Sequence, residues 1–173
     1  GVAAAEAGSL TFMVGGPKDG FEKAKPVLDV MGKNVFHAGD PGNGQVAKIA
    51  NNMLLGISMI GTCEAFNLAE KLGLDAQTFF DISSTASGQC WSMTSYCPAP
   101  GPVPAAPSNR DYKPGFAVAM MLKDLRLAMG AGDDVGADTP LGNHAQQIYS
   151  KLDEDGFGDL DFSGVMRRLK GEL

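Results

Sequence analysis

The chain has 173 residues, 44% apolar and 20% charged: the balance of a soluble globular protein, with room for one real core or for one domain and a piece of another. Its net charge of −6 and pI near 4.8 argue against a nucleic-acid-binding surface. No apolar run reaches membrane-spanning length, because Glu64 ends the longest one.

The chain opens on Gly1-Val2 with an Ala-rich stretch and without a Met or a leader pattern, so it reads as the middle of a longer protein. Ser9–Val14 reads as a strand closed by the turn Gly15-Gly16-Pro17, and Lys18–Met31 as a helix that Pro26 should kink. Asn34–His37 reads as a second strand. Strand, helix and strand make a βαβ unit, and two strands alone leave open edges, so this part is expected to be the tail of an α/β domain.

Next comes the longest pattern. Asn43 or Gly44 can cap a helix that runs to about Leu72, where Gly73 stops it; such a helix spans roughly 40 Å. Between Met53 and Cys63 it carries no charge, so burial on most sides is expected. At its head Lys48 and Asn52 share a face, with Asn51 beside them. The helix dipole and partial burial would both lower the pKa of Lys48, making it a candidate acid–base group. Free N–H groups at the helix start could hold a carboxylate. Spacing alone leaves open a second reading, in which Lys48 snorkels to solvent and the asparagines bridge loops.

Asp75 should cap a helix to about Ile82, followed by the polar Ser83–Ser92. The Pro-rich Cys97–Gly115 is expected to be a lid or rim. Further helices are expected over Phe116–Ala131, over Leu141–Leu152 after the Thr139-Pro140 start signal, and over Ser163–Leu169.

Several motifs carry little. In DEDGFGDLDFSG, taken as an EF-hand from Asp153, position twelve is Gly164 instead of Glu, so an acidic solvated turn is expected. Lys48 does not close a P-loop, since Ile49 stands directly after it. Cys63, Cys90 and Cys97 lack C-x-x-C spacing, and with His37 and His144 they match no usual zinc spacing; both histidines read as structural.

The pattern G-x-G-x-x-x-K-x-x-x-N, from Gly42 through Lys48 to Asn52, resembles the catalytic-lysine signature of the β-hydroxyacid dehydrogenases. From GNGQVAKIANNMLLGISMIGTCEAFNLAEKLGLD onward the sequence is similar to the hydroxyisobutyrate branch of that family, and the similarity covers essentially the whole chain. The resemblance implies a mainly α fold: an all-helical domain of the 6-phosphogluconate-dehydrogenase type at 41–173, built round the long helix and preceded at 1–40 by a partial βαβ piece of an NAD-binding Rossmann domain. It implies reversible NAD-dependent oxidation of 3-hydroxyisobutyrate to methylmalonate semialdehyde, a step of valine catabolism, with Lys48 moving the hydroxyl proton and Asn52 holding the substrate. GVAAAEAG resembles the end of the family's substrate-binding motif, whose last glycine is Gly1. Lys123-Asp124-Leu125 resembles its cofactor-proximal element, so that Lys123 contacts NAD, Asp124 orients a lysine, and Phe116 lies near the nicotinamide; without the resemblance these are an ordinary ion pair and a core aromatic. Trp91 and Tyr96, after a loop similar to the hydroxyisobutyrate branch, could wall a methyl-bearing substrate and donate a hydroxyl, or could simply anchor that loop. A small hydroxy acid and a second copy of the chain are the expected partners, with neither nucleic acid nor membrane. The expected compartment is the mitochondrial matrix in a eukaryote and the cytoplasm in a bacterium. No G-x-G-x-x-G occurs, which keeps open a non-catalytic helical module, and a sibling enzyme acting on tartronate semialdehyde or serine is a third reading.

Overall fold

A computed structural model describes residues 2–173 of the chain. After a short helix, α1 (Val2–Glu6), the extended-favouring Thr11, Phe12 and Val14 place β1 at Leu10–Val14. Helix α2 (Lys18–Met31) continues through Pro26, which deprives it of one hydrogen bond without ending it. Gly32 then turns extended (φ −143°, ψ 157°) and starts β2 (Gly32–His37) two residues earlier than β-propensity suggests. The strands pair in parallel, with Phe12 opposite Val35 and Val14 opposite His37, so the expected βαβ unit is present.

The chain divides into two compact units, one up to Asn52 and the other Met53–Leu173. The division falls inside the long helix α3 (Asn43–Lys71), because the head of that helix packs with the βαβ piece. A Cβ on Gly44 would overlap the Met13 carbonyl, and one on Gly15 would come within 2.6 Å of the Asp40 oxygen. Only glycine permits that approach.

Along α3 a single stripe is buried: Met59, Ile60, Cys63 and Phe66 recur every three or four residues. Burial on most sides does not occur, since Leu54 is 61% and Leu68 60% exposed. One stripe is what the remaining helices of the second unit can cover. By length and composition α3 could cross a membrane, a possibility that counting unbroken apolar runs does not raise; 28% of its most apolar stretch is buried.

Helix α4 (Ala76–Ser83) is capped by Asp75, which accepts from Thr78 N at 3.0 Å and Thr78 Oγ1 at 2.6 Å. A four-residue helix, α5 (Trp91–Thr94), follows where only polar chain was expected. The Pro-rich segment, expected to be a lid or rim, is packed down along part of its length. Cys97, Ala99, Ala106, Ser108 and Tyr112 in it are buried, and it is tied down internally. Ser108 Oγ donates to Cys97 O at 2.7 Å, Tyr112 Oη to Pro98 O at 2.7 Å, and Asn109 Oδ1 accepts from Gly101 N at 2.7 Å. Six prolines fix φ at their positions in advance, and these bonds tie down three of the polar side chains between them.

Helix α6 (Val118–Val135) starts later than expected, because the residues before it pair with the chain's last turn: Ala117 bridges Asp161, and Phe162 N donates to Phe116 O at 2.9 Å. It packs against α7 (Pro140–Leu152), which opens on proline as expected. A π-helical turn at Asp153–Phe157 and a 3-10 turn at Phe162–Gly164 lead into α8 (Val165–Lys170). The core of the second unit joins the α3 stripe to Met121, Leu122 and Leu125 of α6, Tyr149 and Leu152 of α7, and Val165 and Met166 of α8. Each such side chain stabilises the fold by about 1.5–3 kcal/mol. Of nine methionines, five are buried: Met59, Met93, Met121, Met129 and Met166.

Candidate functional site

In the first unit, the G-N-G turn starts α3. Gly42 has a φ of +95°, and Asn43, instead of capping through its side chain, donates from Nδ2 to Ala38 O at 3.0 Å. The turn is thereby fixed to the end of the second strand. Lys48 follows one turn later and is exposed; the partial burial expected for it is absent, because among the described residues of its unit nothing packs over that side of α3. Asn52 is half-buried, and its Oδ1 accepts from Asn51 Nδ2 at 3.1 Å. Lys48 and Asn52 thus stand one turn apart on a rigid helix, Lys48 in reach of solvent and Asn52 oriented by its neighbour. His37 is structural, as read: its Nε2 lies 2.7 Å from Gly16 O and its ring stacks on Phe21 at 4.8 Å. Gly1, expected to touch a substrate carboxylate, lies outside the described residues.

In the second unit, four aromatic rings follow one another in space. Trp91, half exposed at the start of α5, stacks on Tyr96 with centroids 5.1 Å apart and planes 21° from parallel. Tyr96 tilts against Phe162 at 5.4 Å, and Phe116 meets Phe162 edge-on at 5.6 Å. Offset stacking and edge contacts of this kind are the favoured aromatic geometries. The candidate substrate-wall residues and the candidate cofactor-side ring therefore belong to one continuous file.

The Tyr96 hydroxyl is not a spare donor. It donates its one proton to Asp161 Oδ2 at 2.8 Å, and burial, then the Asp161 charge, push its pKa well above the ordinary phenol value. Asp161 is where the acidic tail departs most from a solvated turn: it has no exposed surface. Its Oδ2 also accepts from Gly115 N at 2.9 Å and Phe116 N at 3.1 Å, and its Oδ1 from Ser163 N at 3.0 Å and Ser163 Oγ at 2.6 Å. Sequence reasoning missed Asp161 and Phe162. The available signal was an Asp just ahead of an apolar run, a helix-start pattern hidden among other acidic residues.

Lys123 and Asp124 form the expected ion pair, Nζ to Oδ1 at 3.2 Å, with Lys123 half exposed and Asp124 buried. A buried carboxylate that holds a half-exposed ammonium orients it without covering its outer donors. A depression of about 280 Å³, lined by Ser108, Tyr112, Arg167 and Glu172 among others, includes none of these residues.

Residues 42–169 match the family model for the NAD-binding domain of NADP-dependent 3-hydroxyisobutyrate dehydrogenase, and residues 1–39 match the NAD-binding domain of 6-phosphogluconate dehydrogenase. The chain is 51% identical to the probable 3-hydroxyisobutyrate dehydrogenase of Mycobacterium tuberculosis over 98% of its own length and 58% of that protein's. It is 47% identical to the mitochondrial 3-hydroxyisobutyrate dehydrogenase of Drosophila melanogaster, over 99% of its length and 53% of the relative's. A solved structure of the Mycobacterium tuberculosis 3-hydroxyisobutyrate dehydrogenase with L-serine superposes with a TM-score of 0.93 at 50% identity, covering 98% of this chain and 58% of that one. The chain thus spans a little over half the length of the relatives it matches, and its mainly helical fold with a small parallel sheet is theirs.

Proposed function

The chain belongs to the 3-hydroxyisobutyrate dehydrogenase family, and we propose that the protein carrying it catalyses the reversible NAD-dependent oxidation of 3-hydroxyisobutyrate to methylmalonate semialdehyde. The supporting observation is the Lys48–Asn52 pair, held one turn apart on α3 in a chain half identical to such a dehydrogenase. Residues 1–40 are the end of its NAD-binding domain and residues 41–173 its helical catalytic and dimerisation domain.

The residues of this chain fit the cofactor by their chemistry. Lys123, braced by Asp124, offers ammonium donors to the oxygens of NAD, and the partly exposed ring of Phe116 offers an apolar face to the nicotinamide. When bound, NAD supplies the hydride acceptor. Lys48 takes the hydroxyl proton in oxidation and returns it in reduction. Asn52, its amide fixed by Asn51, holds the substrate hydroxyl or carboxylate in line. The half-exposed indole of Trp91 is the wall against the substrate methyl; Tyr96 backs that wall by stacking, its own proton being committed to Asp161.

Serine oxidation is the second reading, favoured by the L-serine present with the Mycobacterium tuberculosis relative. Serine replaces the methyl by an ammonium, which an indole face also attracts, so the wall accepts either group and the substrate panel decides between them. Exposed Leu54, Leu68 and Leu72 on α3 and the residues after it support a homo-oligomer. The compartment depends on the organism, mitochondrial matrix in a eukaryote and cytoplasm in a bacterium. The test is a panel with the full-length protein: 3-hydroxyisobutyrate and L-serine are oxidised with NAD, and tartronate semialdehyde is reduced with NADH. A kcat/KM highest for serine or tartronate semialdehyde would overturn the proposal in favour of that substrate.

A further inference from the structure

Asp161 has no part in the proposed chemistry, yet five hydrogen bonds reach its two oxygens, three at Oδ2 and two at Oδ1. A carboxylate with no exposed surface is costly to bury unless donors surround it. These donors come from three separate stretches of chain: Tyr96 beyond α5, the Gly115–Phe116 backbone ahead of α6, and Ser163 at the final turn. The approach is close enough that any side chain at Gly115 would overlap the Tyr96 hydroxyl. A neutral isostere has one acceptor oxygen and could not serve both sides, and bonds to a charged acceptor are about twice as strong as neutral ones.

Two of those stretches carry residues with proposed roles. Tyr96, pinned through its hydroxyl, is the plate on which Trp91 stacks. Phe116 is pinned through its own N–H and rests edge-on against Phe162, the residue next to Asp161. We infer that Asp161 is a positioning residue that sets the substrate wall and the cofactor-side ring as one rigid piece. It holds Trp91 through Tyr96, and Phe116 through the backbone. The inference rests on the proposed roles of Trp91 and Phe116. A satisfied buried polar network of this kind specifies one arrangement where apolar packing would allow several.

The test uses the full-length enzyme and three variants, Asp161→Asn, Tyr96→Phe and Trp91→Ala. Each is measured for KM and kcat with 3-hydroxyisobutyrate and its unmethylated analogue, for NAD affinity by calorimetry, and for Tm. Asp161→Asn removes the charge that both arms bond to and leaves one acceptor oxygen for five donors. It should lower kcat/KM about 10²-fold, the usual cost of displacing reactive geometry by an ångström, and should weaken NAD binding as well. Tyr96→Phe keeps the stacked ring and cuts one arm only, so it should reduce the preference for the methylated substrate and leave NAD affinity unchanged. If Asp161 serves stability alone, Tm falls in both variants while KM, the substrate preference and NAD affinity stay at wild-type values, and the inference is overturned. Should Asp161→Asn fail to fold, Tyr96→Phe decides: a wild-type preference in it overturns the inference. Trp91→Ala separates the two levels. A wild-type preference there removes the wall itself, and with it the premise. A lost preference there, with Tyr96→Phe and Asp161→Asn both unaltered, overturns the role of Asp161 alone.

Discussion

Lys48→Ala and Lys48→Arg in the full-length enzyme test the centre of the mechanism, and exposure makes them clean probes. Lys48 is exposed, so truncating it opens no cavity and strands no buried charge. Its stability effect should stay within about 0.5 kcal/mol, the range of ordinary surface substitutions. A positioned acid–base group contributes about 10²–10⁴-fold to rate, or about 2.7–5.5 kcal/mol of barrier. The catalytic effect therefore exceeds the structural one by at least about fivefold, and the two measurements cannot be confused. Thermal unfolding should give a Tm near wild type for both variants, while steady-state oxidation of 3-hydroxyisobutyrate falls about 10²–10⁴-fold in kcat. NAD affinity should change little, since the cofactor contact is assigned to Lys123. Arginine keeps the charge but cannot give up its proton at any working pH, so it should be nearly as inactive as alanine. An active Lys48→Arg enzyme with a raised KM would refute the reasoning and leave Lys48 as a carboxylate-binding residue.

Trp91→Ala should change the ratio of kcat/KM for methylated over unmethylated substrate by about ten- to two-hundred-fold at most, the worth of one methyl in an apolar pocket; an unchanged ratio makes Trp91 structural. Residues 1–173 alone, which carry no G-x-G-x-x-G turn, should show no hydride transfer and only weak NAD affinity, and micromolar binding in a calorimetric titration would contradict this. Tyr112→Phe should cost about 1–3 kcal/mol by leaving the buried Pro98 carbonyl unpaired, seen as a lower midpoint in urea. The Lys151 hydrogen bond and then Arg168 hold the Asp155 carboxyl below the usual carboxylate range. Its contribution is therefore present above the unfolded-state pKa and lost as pH falls through the lower folded-state one. Asp155→Asn should accordingly reduce stability at neutral pH, with the difference vanishing in acid; a pH-independent difference would show that the ion pair is not its source.

The elements legible in the sequence were those set by local rules. The βαβ unit, the Asp75 cap and the Thr139-Pro140 start each depend on a few adjacent residues, and each stands in the structure. Lys48 and Asn52 could be put on one face for the same reason. What periodicity does not carry is which apolar residues find partners, so α3 was expected to be buried on sides it leaves open. Long-range polar contacts were equally out of reach. Asp161 and Tyr96 stand 65 residues apart, and nothing local to DFSG distinguishes a buried carboxylate from the exposed acids around it. The Pro-rich segment shows the same limit: its length suggested a lid or rim, and nothing local to it foretold that Ser108, Asn109 and Tyr112 fasten it to itself.

The five buried methionines turn the core of the second unit into a chemical clock. A thioether reacts with peroxide only when the reagent reaches it, so Met31 and Met120, which are exposed, should become sulfoxides first. Met59, Met121 and Met166, with essentially no exposed surface, should be oxidised only in the moments when the helices part. Each sulfoxide formed there adds a polar oxygen to a dry interior and makes the next opening easier. Oxidative inactivation should therefore begin slowly and accelerate, and any ligand that keeps the helices closed should lengthen the lag.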